Sequence, residues 1–366
     1  MTEWHWIGTR EDILARAPFE VKLARNRIAV FVHDGLVRAI SNVCNHKGGP
    51  LCDGRRRGEF IACPWHAWEY SVVTGHGPEG YEGDQVPVHP LEERPDGVWI
   101  GTPPVVKRKV PKHPPHPLLV TPPKPPEAPP RVLGLSTTAM DAANPRFSTS
   151  DALLDHALAR AAERGAETRL IRLRDLAFAP CEGNYSKASH ACTWPCAITE
   201  RDPNDGLTPV YDGLVNWADV VLLATPIRWG AAASLYFQMA ERLNCVQNQI
   251  TTHDRVLIRN KVAGFIITGG QDNVQGVAGN LFTFWAELGF VFPPFPFIAH
   301  SRGWDAEDTE NNVRQVREST RLHAASRELA DRALDFWTIL GRHGAGTESR
   351  MERAGRKASP LVQNRA

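Results

Sequence analysis

Apolar and polar positions follow two different rhythms along this chain. Toward the N-terminus the apolar runs are short: Ile28-Ala29-Val30-Phe31-Val32 and Leu36-Val37-Arg38-Ala39-Ile40 lie on either side of Asp34-Gly35. Asp-Gly between two such runs is a strong hairpin signal, because the two-residue type I′ turn needs positive φ at both positions. Val98-Trp99-Ile100 reads as a closing strand, so residues 1–102 are expected to form a small antiparallel β domain.

Beyond residue 130 strands alternate with helices. Val132-Leu133-Gly134-Leu135, Leu170-Ile171-Arg172-Leu173, Val220 to Ala224, Val262 to Thr268 and Phe297-Ile298-Ala299 are apolar runs of strand length. A helix is expected from about Ser150 to Arg164, with Leu154, Ala157, Leu158 and Ala161 on one face and Gly165 as its stop. Another carries Leu235, Met239, Leu243 and Val246 in one stripe, and a third carries Val274, Val277, Leu281, Phe284 and Leu288 before Gly289. A single long helix is expected from about Asp308 to Leu340. Continuous apolar strands between amphipathic helices imply an α/β domain over 131–341, its five-stranded parallel sheet covered on both faces.

Two low-complexity stretches punctuate the pattern. Residues 103–130 hold 12 prolines, a composition that cannot donate ladder hydrogen bonds and favours extended polyproline II. At full extension such a linker reaches about 80–90 Å; the rival reading is a ligand for a proline-recognition module. Residues 342–366 are basic and low in complexity, and are expected to form a disordered tail.

The candidate chemistry starts at Cys44-Asn45-His46 and Cys63-Pro64-Trp65-His66. Two thiolates and two imidazoles form the ligand set of a Rieske [2Fe–2S] centre, in which two His replace two Cys on one iron. A Cys2His2 zinc site uses the same four groups. Lys47-Gly48-Gly49-Pro50 and Pro64 argue for two tight loops closing from opposite sides, whereas a zinc finger more often pairs Cys with Cys. Over residues 1–102 the chain resembles Rieske ferredoxins: Cys-x-His-x-Gly at 44–48, Leu51, Asp53-Gly54, Cys-Pro-Trp-His at 63–66 and Thr74-Gly75. The resemblance implies that Cys44 and Cys63 hold the inner iron, and His46 and His66 the outer one. Ala67 stands where the family usually has Gly, and Cys52 has no partner in the second loop and reads as a packed thiol.

In parallel sheets ligands bind beyond the carboxyl ends of the strands. After the first strand come Ser136-Thr137-Thr138, and before its helix Arg146-Phe147-Ser148-Thr149-Ser150. Hydroxyls, an Arg and free helix N–H groups suit a phosphate; a plain helix cap at Ser148 or Ser150 is the equal alternative. Thr225-Pro226-Ile227-Arg228-Trp229-Gly230 follows the third strand and Thr268-Gly269-Gly270-Gln271-Asp272 the fourth. The run Ala218 to Gly230 is similar to flavodoxin-like NAD(P)H-dependent FMN reductases and iron–sulfur flavoproteins, over roughly residues 131–305. The resemblance implies FMN, its phosphate on Ser136, Ser148, Thr149 and Ser150; the phosphate loop is longer than the family's and lacks its usual Arg soon after the first Ser, a place Arg146 is expected to fill. Its ribityl chain and ring would lie along Thr225, Pro226, Ile227, Arg228, Trp229, Gly230, Gly269 and Gly270. It also implies NAD(P)H as donor and a homo-oligomer, dimer or tetramer. Cys181, Cys192 and Cys196 are too few for a cluster unless another ligand such as His190 joins them; quiet thiols are the expected reading. Trp194 and Tyr185 either cap the flavin pocket or pack, and His300 either faces the flavin or is structural.

The expected whole is therefore a multidomain redox enzyme, an all-β Rieske domain followed by an α/β flavodoxin-like domain. Electrons would run between NAD(P)H, FMN and the [2Fe–2S] cluster to a small-molecule or protein acceptor. The rivals are a non-enzymatic carrier reduced by a partner and a reductase of quinone-like acceptors. A Rieske oxygenase would need a mononuclear iron site, for which the C-terminal part offers no convincing two-His pattern. The net charge of +1 gives no case for nucleic-acid binding. No apolar run is long enough to span a membrane, and Met1-Thr2-Glu3-Trp4 does not open a secretory signal. With seven Cys, two of them assigned to iron, a reducing cytoplasm is the expected location.

Overall fold

Nine short strands build the N-terminal part of the computed structural model, which describes residues 2–24, 26–102, 116–120, 128–141, 143–253, 255–269, 273–302 and 305–343. They are β1 (Glu3–Gly8), β2 (Phe19–Leu23), β3 (Asn26–His33), β4 (Leu36–Ser41), β5 (Arg55–Arg57), β6 (Phe60–Ala62), β7 (Glu69–Ser71), β8 (Leu91–Arg94) and β9 (Gly97–Thr102). They pair antiparallel in three sheets, β1-β9-β8, β2-β3-β4 and β5-β6-β7. The Asp34-Gly35 hairpin forms as expected, with φ of +51° and +70° at its two turn residues. β3 lacks the polar alternation of a half-exposed strand because both its faces are covered. Ile28 and Val30 join a core with Ile13, Val98 and Ile100, while Ala29 and Phe31 join one with Ile40, Leu51, Ile61 and Tyr70. That second core contains Cys44 and Cys63.

The C-terminal sheet comprises β10 (Arg131–Ser136), β11 (Glu167–Arg172), β12 (Val220–Pro226), β13 (Val262–Gly269) and β14 (Phe297–Ser301). All neighbours are parallel, in the order β11-β10-β12-β13-β14. The two-sided burial expected from the apolar runs is realised residue by residue. Leu133, Leu135, Val221, Leu223, Phe265 and Ile267 enter one core, and Val132, Val220, Leu222, Ala224, Val262 and Ile266 the opposite one. The strand order reverses direction between β10 and β12, so the crevice at a doubly wound sheet's switch point lies beside Ser136 and Pro226.

Two expected helices are each divided. The stripe through Leu235 and Val246 is carried by Ser234–Arg242 and Asn244–His253. The long final helix is two, Ala306–Glu318 and Thr320–His343. At Ser319 the backbone is extended and the side-chain hydroxyl accepts from the Leu322 amide, so this residue caps a new helix instead of continuing the old one. The helix Thr149–Glu163 and the helix Val274–Leu288 match their expected spans, the latter stopped by Gly289 at φ +109°.

The described residues fall into two compact units, one drawn from Met1–Pro114 and Gly183–Ala191, the other from Pro115–Glu182 and Cys192–Ala366. The expected span 131–341 is thus interrupted at 183–191. Most of the proline-rich stretch and of the basic tail lies outside the described residues. Within the stretch, Leu118 is buried in a core of the second unit, and its carbonyl accepts from Asn216 at 3.4 Å. No helix among the described residues is long and apolar enough to cross a membrane.

Candidate metal and cofactor centres

Two loops of the first unit are closed by the same pair of backbone hydrogen bonds. In one, Gly48 N–H donates to the Cys44 carbonyl (3.0 Å) and Cys44 N–H to that of Gly49 (2.9 Å). In the other, Ala67 N–H donates to the Cys63 carbonyl (2.9 Å) and Cys63 N–H to that of Trp68 (2.7 Å). Each turn needs a left-handed residue at the same place, Gly48 at φ +86° and Ala67 at φ +60°. Alanine there carries the strain that a glycine would not.

This shared closure brings the donors together two and two. His46 Nδ1 and His66 Nδ1 stand 3.1 Å apart, their rings 76° from coplanar. With metal–nitrogen bonds of about 2.0–2.1 Å, that separation subtends roughly 100° at one metal, close to tetrahedral. The Cys44 and Cys63 thiols hydrogen-bond each other. That bond, against the cost of burial, holds the Cys44 thiol down at about 6, with help from Tyr70 and the His46 N–H. Cys63 is pushed up as the proton-bearing partner beside the Cys44 charge. Among the described residues no three such side chains gather as a single ion requires. A sulfur pair and a nitrogen pair instead suit a two-iron group with one pair on each iron.

The surroundings orient these donors. Trp68 stacks on the His46 ring, 4.4 Å between centroids and 4° from parallel, and the Tyr70 hydroxyl lies 3.4 Å from Cys44 Sγ. His66 is buried, with Nε2 2.5 Å from the Ala191 carbonyl. Once Nδ1 serves a metal, the proton sits on Nε2 and is donated there, which fixes the tautomer. Gly49 is dictated by closeness: a Cβ would lie 2.7 Å from Cys63 Sγ and 3.0 Å from the Trp65 ring. Cys52 points away, its thiol donating to Asp53 at 3.3 Å, and burial followed by that carboxylate raises it to about 11.

In the second unit, the hydroxyls named from the sequence gather in part. Thr138 Oγ1 lies 2.8 Å from Ser150 Oγ and 3.3 Å from Ser148 Oγ, and the two serines are 3.2 Å apart. Thr149 Oγ1 meets Thr268 Oγ1 at 2.8 Å, tying this loop to the end of β13. Ser148 also caps the helix, accepting from the Asp151 amide, so the cap and the hydroxyl cluster coexist. Ser136 departs from expectation. Its hydroxyl donates to Asp151, which the cap draws up to the strand end and which Arg174 pairs at 2.7 Å. Arg146 is exposed in the loop, its amide on Met140 Sδ at 3.1 Å.

The loop after β12 divides its residues between scaffold and surface. The Thr225 hydroxyl accepts from the Ala233 amide, and buried Ile227 donates its N–H to the Thr268 carbonyl at 2.7 Å. Arg228 and Ala231 close a tight turn whose tip is Trp229 (φ +52°) and Gly230 (φ +69°). Trp229 is 93% exposed, so a large ring is held in solvent on a strained backbone at the switch-point edge of the sheet. Pro226 ends β12. At Gly269 the side-chain space is filled by Ile227, whose Cβ lies 2.9 Å from where a Cβ would stand, so packing demands this glycine. Gly270 lies outside the described residues. His300 sits opposite Thr268 in the sheet with Nε2 buried and without a hydrogen-bond partner, and burial with Arg302 nearby lowers its pKa. Trp194 packs edge-on against Tyr211 at 5.5 Å in the core, while exposed Tyr185 belongs to the first unit. The hydroxyl cluster, the projecting indole and the unpartnered imidazole fit a phosphate-bearing aromatic group at this edge.

Sequence reasoning missed the roles of Gly49 and Tyr70. Thr138 and Thr268 stand in the strand-end runs that the sequence points to, without a contact assigned to either.

Comparison with known proteins falls along the same division. Residues 3–90 match the model of the Rieske [2Fe-2S] domain, and residues 135–305 that of NADPH-dependent FMN reductase. The oxygenase component of 3-ketosteroid-9-alpha-monooxygenase from Mycobacterium tuberculosis is 32% identical over 68 residues, 18% of each chain. The 8-demethyl-8-aminoriboflavin-5'-phosphate synthase of Streptomyces davaonensis is 25% identical over 161 residues, 41% of this chain and 56% of that protein. The chain spans about a fifth of the length of the first curated relatives it matches. The crystal structure of RosB with a bound 8-demethyl-8-formylriboflavin-5'-phosphate intermediate is 20% identical, with a TM-score of 0.48, covering 61% of this chain and 87% of that one.

Proposed function

Since the chain is a fusion of a Rieske [2Fe–2S] domain with a flavodoxin-like domain of the NADPH-dependent FMN reductase family, we propose that it is an NAD(P)H-dependent oxidoreductase passing electrons through FMN to the cluster and on to an acceptor. Bound FMN accepts an electron pair as hydride and gives electrons up singly, which matches a cluster that stores one at a time.

The observation that carries this reading is the two-and-two donor arrangement, with His46 Nδ1 and His66 Nδ1 3.1 Å apart and the Cys44 and Cys63 thiols in contact. In this reading Cys44 and Cys63 hold one iron and His46 and His66 the other. The Tyr70 hydroxyl donates to the Cys44 sulfur and so favours the electron-rich reduced state. In the second unit Thr138, Ser148, Thr149 and Ser150 bind the FMN phosphate. Trp229 and the loop after β12 border the flavin ring, and Arg146 reaches in from its loop. Asp151 does not repel the phosphate, because Arg174 neutralises it. His300 Nε2 supplies a polar contact at the same edge.

Anaerobic titration with NADH and with NADPH, followed by absorbance and EPR, tests the reading. Reduction of both centres by one nucleotide supports the enzyme. Reduction by neither favours a carrier supplied by a partner reductase.

A further inference from the structure

Four of the seven cysteines belong to the second unit: Cys181, Cys192, Cys196 and Cys245. Two of them meet in a built environment. Cys245 is the second residue of the helix Asn244–His253 and is buried, while Cys196 immediately precedes the helix Ala197–Arg201 and is partly exposed. Their side chains hydrogen-bond each other.

Cationic and hydrogen-bonding groups surround Cys196. The Ile198 N–H points at its sulfur, the Arg242 guanidinium lies nearby, and the Tyr211 hydroxyl is within reach of both this sulfur and the Arg242 carbonyl, the latter at 2.9 Å. Arg242 is held by a completely buried pairing with Asp205, so its charge is fixed in place. The hydrogen bond from Cys245 comes first, and with Arg242 it outweighs burial to hold the Cys196 thiol down at about 5. Cys192 differs: burial raises it to about 11, and its sulfur accepts from the Asn244 amide at 3.4 Å. A partly exposed, charge-stabilised thiolate beside a buried protonated thiol is the arrangement of an attacking and a resolving cysteine.

We propose that Cys196 and Cys245 form a dithiol–disulfide couple, a two-electron redox centre that exchanges with low-molecular-weight disulfides. The Cys196 thiolate attacks one sulfur of R–S–S–R, the S–S bond breaks, and RS⁻ leaves as the mixed disulfide forms. Cys245 then gives up its proton and attacks the Cys196 sulfur, expelling the second RS⁻. The protein loses two electrons and one proton, and the small disulfide becomes one thiol and one thiolate. Burial of Cys245 sets the order, because Cys196 is the partly exposed member of the pair.

The test uses the full-length holoprotein and oxidised glutathione near pH 7, followed by alkylation, trypsin without reductant and mass spectrometry. The expected product joins the peptide Ala188–Arg201 to Leu243–Arg255; it persists in Cys192→Ser and disappears in Cys196→Ser. Iodoacetamide should alkylate Cys196 at nearly the same rate from pH 6 to 8, whereas an ordinary thiol of pKa about 8.5 quickens roughly 80-fold. An absent linked peptide, a link that survives Cys196→Ser, or an ordinary pH dependence at Cys196 overturns the proposal. So does iron or zinc content that falls in Cys196→Ser, which would mark a metal site instead. None of these readouts depends on flavin or nucleotide, so the couple can fail while the proposed electron path stands.

Discussion

The ligand loops of the first unit and the strand-end loops of the second place polar groups in opposite ways. In the first, four donors come from two short loops that repeat one backbone design, and every donor faces another donor. In the second, hydroxyls come from the ends of β10, β12 and β13, from the loop after β10 and from the start of a helix, and several are engaged by the protein itself. A cluster bound through covalent metal–ligand bonds needs its ligands converged. A phosphate and a flat ring are held by many weak contacts that can be shared with the scaffold. The first site should therefore fail abruptly on single substitutions and the second by degrees.

The most abrupt loss is expected at His66→Ala, which removes a proposed iron ligand. The Rieske EPR signal should vanish while flavin absorbance stays. Normal cluster content in that variant would remove the ligand assignment. Nearly as large is Gly49→Ala, whose new methyl meets Cys63 Sγ. Such overpacking costs about 1–3 kcal/mol, and iron and acid-labile sulfide per chain should fall several-fold.

Trp229→Gly should act by degrees and with opposite signs. Without the indole, one aromatic contact of about 0.5–1.5 kcal/mol is lost, so the FMN dissociation constant should rise roughly 2- to 13-fold. The left-handed backbone at Trp229 is relieved at the same time, so the melting temperature of the flavin-free protein should not fall. Unchanged FMN affinity would place the flavin elsewhere. Tyr70→Phe removes one hydrogen bond to a proposed thiolate ligand. A differential of about 1 kcal/mol corresponds to roughly 40 mV for one electron, so redox titration should show a lower cluster potential by that order. Smallest is Ala67→Gly, which removes strain at φ +60° but loosens the unfolded chain. A net gain below about 1 kcal/mol is expected in denaturant unfolding, with the EPR signal unchanged.

How much of this was legible follows the same contrast. Cys44, His46, Cys63 and His66 stand out because a hairpin-sized loop fixes the spacing of metal ligands, and the five parallel strands stand out because they are apolar without alternation. Gly49 did not, since its reason is a contact with the other loop. Ser136 reads as a phosphate hydroxyl until the fold brings Asp151 beside it. Thr268 joins the cluster only because β13 ends next to the Thr149 loop. The break at Ser319 is hidden in a periodic pattern, since a serine followed by helix formers can continue a helix or cap one. Cys245 looks like one more apolar residue of a stripe and meets Cys196 only through tertiary packing.

The central claim is the order of electron flow, and anaerobic stopped-flow mixing with NADPH or NADH tests it most directly. Flavin absorbance should bleach first and cluster absorbance should follow, and in protein stripped of FMN the cluster should stay oxidised. Cluster reduction by nucleotide in the FMN-free protein, or ahead of the flavin in the holoprotein, would contradict the account.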